Sequence, residues 1–341
     1  MAVPIASSRA ALIRSFLRAL VLLVALGVVA APAAQARAGA PRCDRPFTTG
    51  QQTTLTITSG ASERIVVVYV PTGYDGRRPV PLVLNLHGSQ SNAAEQMLRS
   101  ELARTAERNT FIVAAPQGLL PAPPGFRWNV PGVTTTDPNA PDDVRFLSDV
   151  LDHLQDRLCI DARRIYGAGY SGGGRMISQY ACDHPDRVAA IAPVAGLRAG
   201  VPVAGPAGPQ PDPASCDPDR PVPVITFQGT ADPVNPYAGG GAPYWQYGAS
   251  AALARWAEIN DCRRGPRSRR VSRHVTEVAY TGCRGNAEVV MYLVEGGGHT
   301  WPGSAAMVPL VPALGPVTFE IDAATLMWRF FKRHRLPRER A

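Results

Sequence analysis

Six short buried-type runs, Pro81 to Leu86, Phe111 to Ala115, Arg164 to Ala168, Ala189 to Val194, Val222 to Phe227 and Val289 to Val294, recur along the chain and alternate with helix-length stretches. A strand that is apolar on both faces has to be covered on both faces, so this alternation predicts an α/β protein with a mainly parallel central sheet and helices on either side. The helical stretches run roughly from Asn92 to Arg108, Asp143 to Leu158, Gly172 to Ala181, Ser250 to Ile259 and Asp322 to Arg333. Two earlier β-type runs, Thr54 to Thr58 and Arg64 to Val70, are joined by a turn and predict an N-terminal antiparallel hairpin in the same sheet. Leu119 to Pro141 and Ala195 to Arg220 are rich in Pro and Gly and too long for ordinary connections, so loops packed over the sheet ends are expected. Neither resembles an interdomain linker, and a single domain over 37–341 is expected.

The first 36 residues belong to a different class. Arg9, Arg14 and Arg18 precede an apolar run from Ala19 to Ala30, and Ala34-Gln35-Ala36 places small residues at the positions a signal peptidase recognises. The apolar run falls short of the roughly 20 residues that span a bilayer, so a cleaved secretory signal is expected, with no stable membrane insertion afterwards. Cleavage removes three arginines from a formal net charge of +8, leaving too modest an excess to imply nucleic acid. Arginines cluster at Arg263 to Arg273 and Arg329 to Arg340 with no nucleic-acid-binding fold motif in evidence, which reads as solvated surface. The 341 residues, 45% of them apolar and 18% charged, show no heptad or longer repeat; coiled coils, solenoids and acidic tails are excluded. Six cysteines contain no CxxC pair and no histidine at ligand spacing, so disulfides are expected and no metal. Cys262 and Cys283 bracket an Arg-rich segment and would close a loop of about 20 residues, worth roughly 3 kcal/mol in the chain-entropy view. Cys182 with Cys216 is the next choice, leaving Cys43 with Cys159.

Gly169-Tyr170-Ser171-Gly172-Gly173 fits G-x-S-x-G, a weak pattern by itself. Its setting is the stronger signal, because it follows a strand and opens a helix, as a nucleophile elbow requires. Ser171 needs a base. Of the six histidines, His87 ends a strand, His153 and His184 lie in or beside helices, His274 sits by the arginine cluster and His334 is in the basic tail. His299 alone lies in a glycine-rich loop, Gly296 to Gly303, after the last apolar strand, where an imidazole could reach the strand ends. Asp232, in the turn after Val222 to Phe227, precedes His299 by one strand and is the expected orienting acid. Asp183, Asp186, Asp217, Asp219 and Asp261 read as helix-end or loop carboxylates. Ser89, or alternatively Gly88, after the strand ending at Leu86, and Gly172 after the nucleophile are the expected backbone donors of an oxyanion hole.

Together Leu86-His87-Gly88-Ser89, Cys159-Ile160-Asp161, Gly167 to Met176, Ile191 to Gly196, Gly229 to Pro233 and Gly296 to Gly303 resemble the esterase family that includes polyhydroxybutyrate depolymerases and feruloyl and acetyl-xylan esterases, a carbohydrate esterase family 1 type of α/β-hydrolase. The resemblance implies the α/β-hydrolase fold with Ser171 as nucleophile, His299 as base and Asp232 as acid. Gly172, where many relatives carry Asn or Ser, and Ser89-Gln90, where Cys-Thr is common, are departures that act through backbone. The chain ends soon after its last helix, so soluble hydroxybutyrate oligomers or plant side-chain esters are better expected substrates than polyester granules.

The expectation is therefore a secreted, monomeric carboxylic ester hydrolase working through an acyl-enzyme without a cofactor. Trp128 and Trp301 are the expected substrate-contacting aromatics, and Asp142 and Asp143 are either substrate contacts or helix N-caps. A serine peptidase on the same fold and a non-catalytic cell-surface binding protein are the rival readings.

Overall fold

The computed structural model describes residues 43–338; the secretory leader read from residues 1–36 lies outside the described residues. Strands β1 (Gln52–Ser59) and β2 (Ser62–Tyr69) form the expected antiparallel hairpin, Gln52 opposite Tyr69 and Ser59 opposite Ser62. Strand β3 (Val80–Leu86) is buried along its whole length. Helices α1 (Ala93–Ser100) and α2 (Leu102–Asn109) replace the single helix expected over 92–108. The break has a local cause: the Ser100 hydroxyl accepts the N–H of Leu102 at 3.3 Å and is itself held by Asn85. That side chain takes over a donor that an unbroken helix would use internally, and Glu101 turns left-handed at φ 51°.

Strand β4 (Ile112–Pro116) lies parallel to β3. The stretch expected to be a loop over 119–141 contains a small hairpin, β5 (Leu120–Ala122) and β6 (Gly125–Arg127). Helix α3 (Asp143–Arg157), strand β7 (Ile160–Tyr170), helix α4 (Gly172–Asp183) and strand β8 (Ala190–Val194) follow. A second small hairpin, β9 (Pro202–Gly205) and β10 (Gly208–Pro211), lies in the other long connection. Then come β11 (Val224–Gly229), α5 (Ala249–Ile259), β12 (Arg264–Arg270), β13 (Val275–Thr281), β14 (Val289–Val294), the four-residue α6 (Val311–Leu314) and α7 (Ala323–Phe331).

Ten strands form one sheet in the order β1-β2-β4-β3-β7-β8-β11-β14-β13-β12. The six from β4 to β14 run parallel, and an antiparallel hairpin closes each side. This is the α/β-hydrolase architecture. Alternate strand residues divide between two cores. Leu82 and Leu84 of β3 face Phe146, Leu151, Met176 and Trp256 of α3, α4 and α5, while Val83 faces Met97, Ala106, Met327 and Phe331 of α1, α2 and α7. A strand buried on both faces carries no period-two pattern, which is why these runs look continuously apolar in the sequence.

The arginine-rich segment is a strand of the sheet rather than a loop. Every residue of β12 is exposed, so no apolar alternation marks it. It is an outer strand whose charge discourages pairing with another chain, and Arg269 pairs across the register with Glu277 at 2.9 Å. The Cys262–Cys283 disulfide closes the base of this hairpin. Cys182–Cys216 ties α4 to the segment after β10, and Cys43–Cys159 fastens the first described residue to the start of β7.

The last of these spans 116 residues of sequence, and a cross-link over so long a loop removes the most freedom from the unfolded chain. The double variant Cys43→Ser/Cys159→Ser should therefore lose roughly 2–5 kcal/mol of unfolding free energy, seen as a lower urea midpoint with the sheet's circular dichroism retained in buffer. An unchanged midpoint would show that the bridge constrains nothing in the unfolded chain.

Candidate active site

Strand β3 lies between β4 and β7, and the chain leaves β3 toward β4 but leaves β7 toward β8 on the other side, so these two connections part at the C-terminal ends of β3 and β7. In open α/β sheets such a point leaves a crevice beyond the strand ends. Two segments meet there: His87-Gly88-Ser89 leaving β3, and Ser171 between β7 and α4. Ser171 has φ 53° and ψ −113°, a positive-φ backbone that a non-glycine residue adopts only under constraint. The constraint is visible. Its N–H is bonded to Val194 O at 2.8 Å, its C=O accepts the Arg175 N–H at 3.0 Å, and α4 presses directly on β3. A Cβ on Gly173 would stand 2.3 Å from Leu86 O and 2.6 Å from His87 O, so only glycine lets helix and strand approach this closely.

His299 is brought to the same crevice by the loop after β14. Its N–H is bonded to Leu314 O at 2.6 Å, and its C=O accepts the Tyr170 hydroxyl at 2.5 Å. Its Nδ1 lies 2.7 Å from Asp232 Oδ2, both residues being buried. Asp232 is tightly held after β11: Oδ1 accepts the N–H groups of Val234 and Asn235 at 2.8 and 2.7 Å, and Oδ2 also accepts from Gln228 Nε2 at 3.1 Å. A carboxylate held by this many donors cannot swing, so it orients the imidazole with Nδ1 toward itself. The opposite nitrogen, Nε2, is left for the cavity that His299 and Ser171 both line.

The backbone donors expected for an oxyanion hole also converge. A Cβ placed on Gly172 would stand 3.2 Å from Ser89 N, so the two backbone segments adjoin beside Ser171. His87 shapes this turn as a neutral ring. Its Nε2 accepts the Gly118 N–H at 2.9 Å and its Nδ1 is bonded to Gly88 O at 2.7 Å, which requires the proton on Nδ1. Burial pushes its pKa down to about 4.

Trp128 donates its indole N–H to His87 O at 2.8 Å and packs on the His87 ring at 5.0 Å. It lines the cavity yet is only 1% exposed, so its first contribution is to hold the turn after β3. Trp301 does not line the cavity. It is buried in the core beneath α7, with Met307 and Ala323, because the chain turns inward two residues after His299. Asp142 caps α3 by accepting the Arg145 N–H at 2.9 Å, and Asp143 is buried in an ion pair with Arg64 at 2.7 Å while accepting the Asn129 N–H; neither lines the cavity.

The cavity holds about 530 Å³, walled by Val130, Val133, Tyr244, Leu310 and Leu314 besides the residues already described. Sequence reasoning missed three residues of the site. Gln228 is one; Tyr244 is a second, delivered from a Gly- and Pro-rich connection with no periodicity to mark it. Arg175 is the third, one helical turn beyond Ser171, and its position within the G-x-S-x-G helix was the available clue. A hydroxyl on a strained turn, an imidazole oriented by a buried carboxylate and adjoining backbone N–H groups are the parts that nucleophilic acyl transfer uses.

No protein-family model matches the chain. It is 34% identical over 242 residues to feruloyl esterase B of Piromyces equi, a match that covers 69% of this chain and 42% of that protein's length. It is 31% identical over 257 residues to the putative esterase NocK of Nocardia uniformis subsp. tsuyamanensis, covering 69% of this chain and 68% of that protein. Among solved structures, an acetyl xylan esterase from Aspergillus awamori superposes with a TM-score of 0.53 at 14% identity, covering 74% of this chain and 94% of that one; this likeness is one of fold.

The neutral His87 makes stability depend on pH with a definite sign. Its folded pKa of about 4 lies below the ordinary value of 6.5, so between these two values the unfolded chain binds the extra proton and the folded one resists it. The contribution is complete above pH 6.5, is lost progressively as the pH falls toward 4, and amounts to about 3 kcal/mol for so buried a ring. His334, pushed down to about 4 by burial, adds a slope of the same sign. Denaturant titrations between pH 7 and 4 should show this fall, and His87→Gln, which keeps an acceptor toward Gly118 without titrating, should show a shallower one. Equal slopes in the two proteins would mean that His87 is not the group responsible.

Proposed function

The chain belongs to an esterase family of carboxylic ester hydrolases, and from that premise we propose that it is a secreted serine esterase that removes feruloyl or acetyl groups from plant polysaccharide, a reading supported by its likeness to a feruloyl esterase. The observation that carries the reading is the buried Asp232–His299 pair at 2.7 Å, whose His299 lines one cavity with the strained Ser171. In this reading His299 Nε2 takes the Ser171 proton as the hydroxyl oxygen attacks the ester carbonyl, and Asp232 stabilises the imidazolium that forms. The Ser89 and Gly172 N–H groups receive the charge on the carbonyl oxygen. Collapse of the adduct expels the alcohol with the proton from His299. Water, deprotonated by the same imidazole, then releases the carboxylic acid and regenerates the serine. Secretion is supported by three disulfides and by the leader-like first 36 residues; no helix of the described residues is long and apolar enough to cross a membrane. We take the working unit to be a monomer.

The decisive assay is turnover of methyl ferulate, acetylated xylan and a 3-hydroxybutyrate oligomer side by side. Ferulate or acetate release is expected, and Ser171→Ala should reduce it by at least about 10⁴-fold. Asp232→Asn, which leaves the imidazole in the wrong tautomer, should lower kcat by about 10³ to 10⁴. Preference for the hydroxybutyrate oligomer would move the assignment to polyester oligomers, and amide hydrolysis outrunning ester hydrolysis would move it to a peptidase. Undiminished turnover by Ser171→Ala would remove Ser171 as nucleophile, and a wild-type protein inert to fluorophosphonate would point to a binding protein.

A further inference from the structure

Arg175 is a buried cation with nothing to bind. It is 6% exposed, its Nη1 is sealed from solvent without a hydrogen-bond partner, and no hydrogen bond or ion pair holds any part of its guanidinium among the described residues. Its guanidinium carbon lies over the ring of Tyr244, 4.0 Å from the ring centre. The fold treats its other deeply buried arginines differently. Arg64 is paired with Asp143, and Arg198 donates to the carbonyls of Tyr244 and Gly200. Burial pushes the Arg175 pKa down to about 10, with the nearby Arg198 adding to the effect, and the group is still protonated at neutral pH. A methionine or leucine would pack on Tyr244 without leaving a charge unpaired in the interior, so packing alone does not account for an arginine here.

Its location says what it is for. Arg175 lines the same cavity as Ser171 and His299, and a Cβ on Gly172 would stand 3.4 Å from its Nη2. The guanidinium therefore lies beside the backbone that would receive the reacting carbonyl. The residues that wall the cavity include two further arginines, Arg99 and Arg127, and no Asp or Glu. Arg99 is tied to Glu95 at 2.9 Å and to Ser91, whereas Arg127 is exposed at the edge. A concave wall of one sign concentrates ligands of the other, and a planar guanidinium with all its donors free matches a carboxylate in the two-point manner.

We propose that Arg175 forms an anion subsite, and that the preferred substrates carry a carboxylate close to the ester bond. The inference rests on the ester-hydrolase reading and narrows it. The carboxylate can come from either side of the scissile bond: from the acyl chain, as in a dicarboxylic half-ester, or from the alcohol, as in an acylated uronic acid of an acidic polysaccharide. The shared chemistry is the same, and matched substrate pairs separate the two sources.

Two readouts test it, one independent of turnover. In Ser171→Ala protein, calorimetric titration with succinate and with methyl glucuronide, each against a neutral counterpart (succinamide, methyl glucoside), should show at least tenfold tighter binding of one of the anions. Arg175→Met in that background should abolish the difference, and Arg175→Lys should retain part of it. In the Ser171-containing enzyme, the kcat/KM ratio of 4-nitrophenyl hemisuccinate to 4-nitrophenyl butyrate, or of acetylated methyl glucuronide to acetylated methyl glucoside, should be at least ten and should fall to about one in Arg175→Met. Which pair responds tells which side carries the charge. Melting temperature separates this from a structural role: without anion, Arg175→Met should be as stable as wild type or more so, and succinate or glucuronide should raise the melting temperature of wild type only. Equal binding of anion and neutral counterpart by the Ser171→Ala protein, or an anion preference that survives in Arg175→Met, overturns the subsite even if the enzyme is an active esterase. Anion binding lost in Arg175→Met in a protein inert on every ester would instead overturn the esterase reading and leave the subsite standing.

Discussion

The first turn of α4 rests on the end of β3 with no side chain between them, and the geometry of the whole crevice follows from that contact. Gly173 brings the helix against the Leu86 and His87 carbonyls. With the helix start so placed, β7 has no room for a gradual exit, and Ser171 must turn in a conformation that its own side chain disfavours. The hydrogen bonds that Ser171 gives to Val194 O and accepts from the Arg175 N–H hold the turn on both sides. The cost of the strained residue is carried by the surrounding parallel strands, whose buried ladders leave no alternative path. The same close approach sets Gly172 and Ser89 next to each other, so strain at one residue and convergence of two backbone donors share one cause.

Around this point the fold handles buried polar groups in three ways, each legible from its partners. Arg64 and Asp143 neutralise one another at 2.7 Å. Burial favours the uncharged carboxyl of Asp143, so its pKa is raised despite that partner; the Arg64 donor and the Asn129 N–H oppose the shift. His87 avoids charge by remaining neutral between a donor and an acceptor, and thereby locks the turn that carries Ser89. Asp232 is held by four hydrogen-bond donors around its two oxygens. Arg175 follows none of these patterns, and a buried charge without a protein partner inside a cavity is most simply completed by what enters the cavity.

The outer strands show a different kind of control. The parallel core would expose two edges, and hairpins cover both, β1–β2 on one side and β12–β13 on the other. The outermost strand on the second side is an exposed run of arginines pinned by a disulfide at its base. Charge makes this edge a poor template for another chain, while the Arg269–Glu277 pair and the disulfide keep it in register. These features act on the sheet and lie away from the crevice, which is why the arginine cluster carries no part of the proposed chemistry.

The sequence by itself determined the class of fold, because strands covered on both faces must be apolar throughout and helices must be amphipathic, and both properties are local. It also marked Ser171, His299 and Asp232 as candidates, since each stands just past a buried strand in a segment rich in glycine or proline, where loops gather at one end of a parallel sheet. Tertiary structure decided the rest. The β12–β13 hairpin had no apolar alternation to betray it, since one strand of it faces only water. The break at Glu101 depends on a hydroxyl held by Asn85 from another element. Trp301 was placed near the crevice by its two-residue distance from His299, and the inward turn of the chain sent it into the core instead. Arg175 and Tyr244 are nearly 70 residues apart, and nothing local to either announces that they stack. Burial of one face is written along a single segment and can be read there; which side chains share a cavity depends on how several segments cross, and only the folded chain sets that.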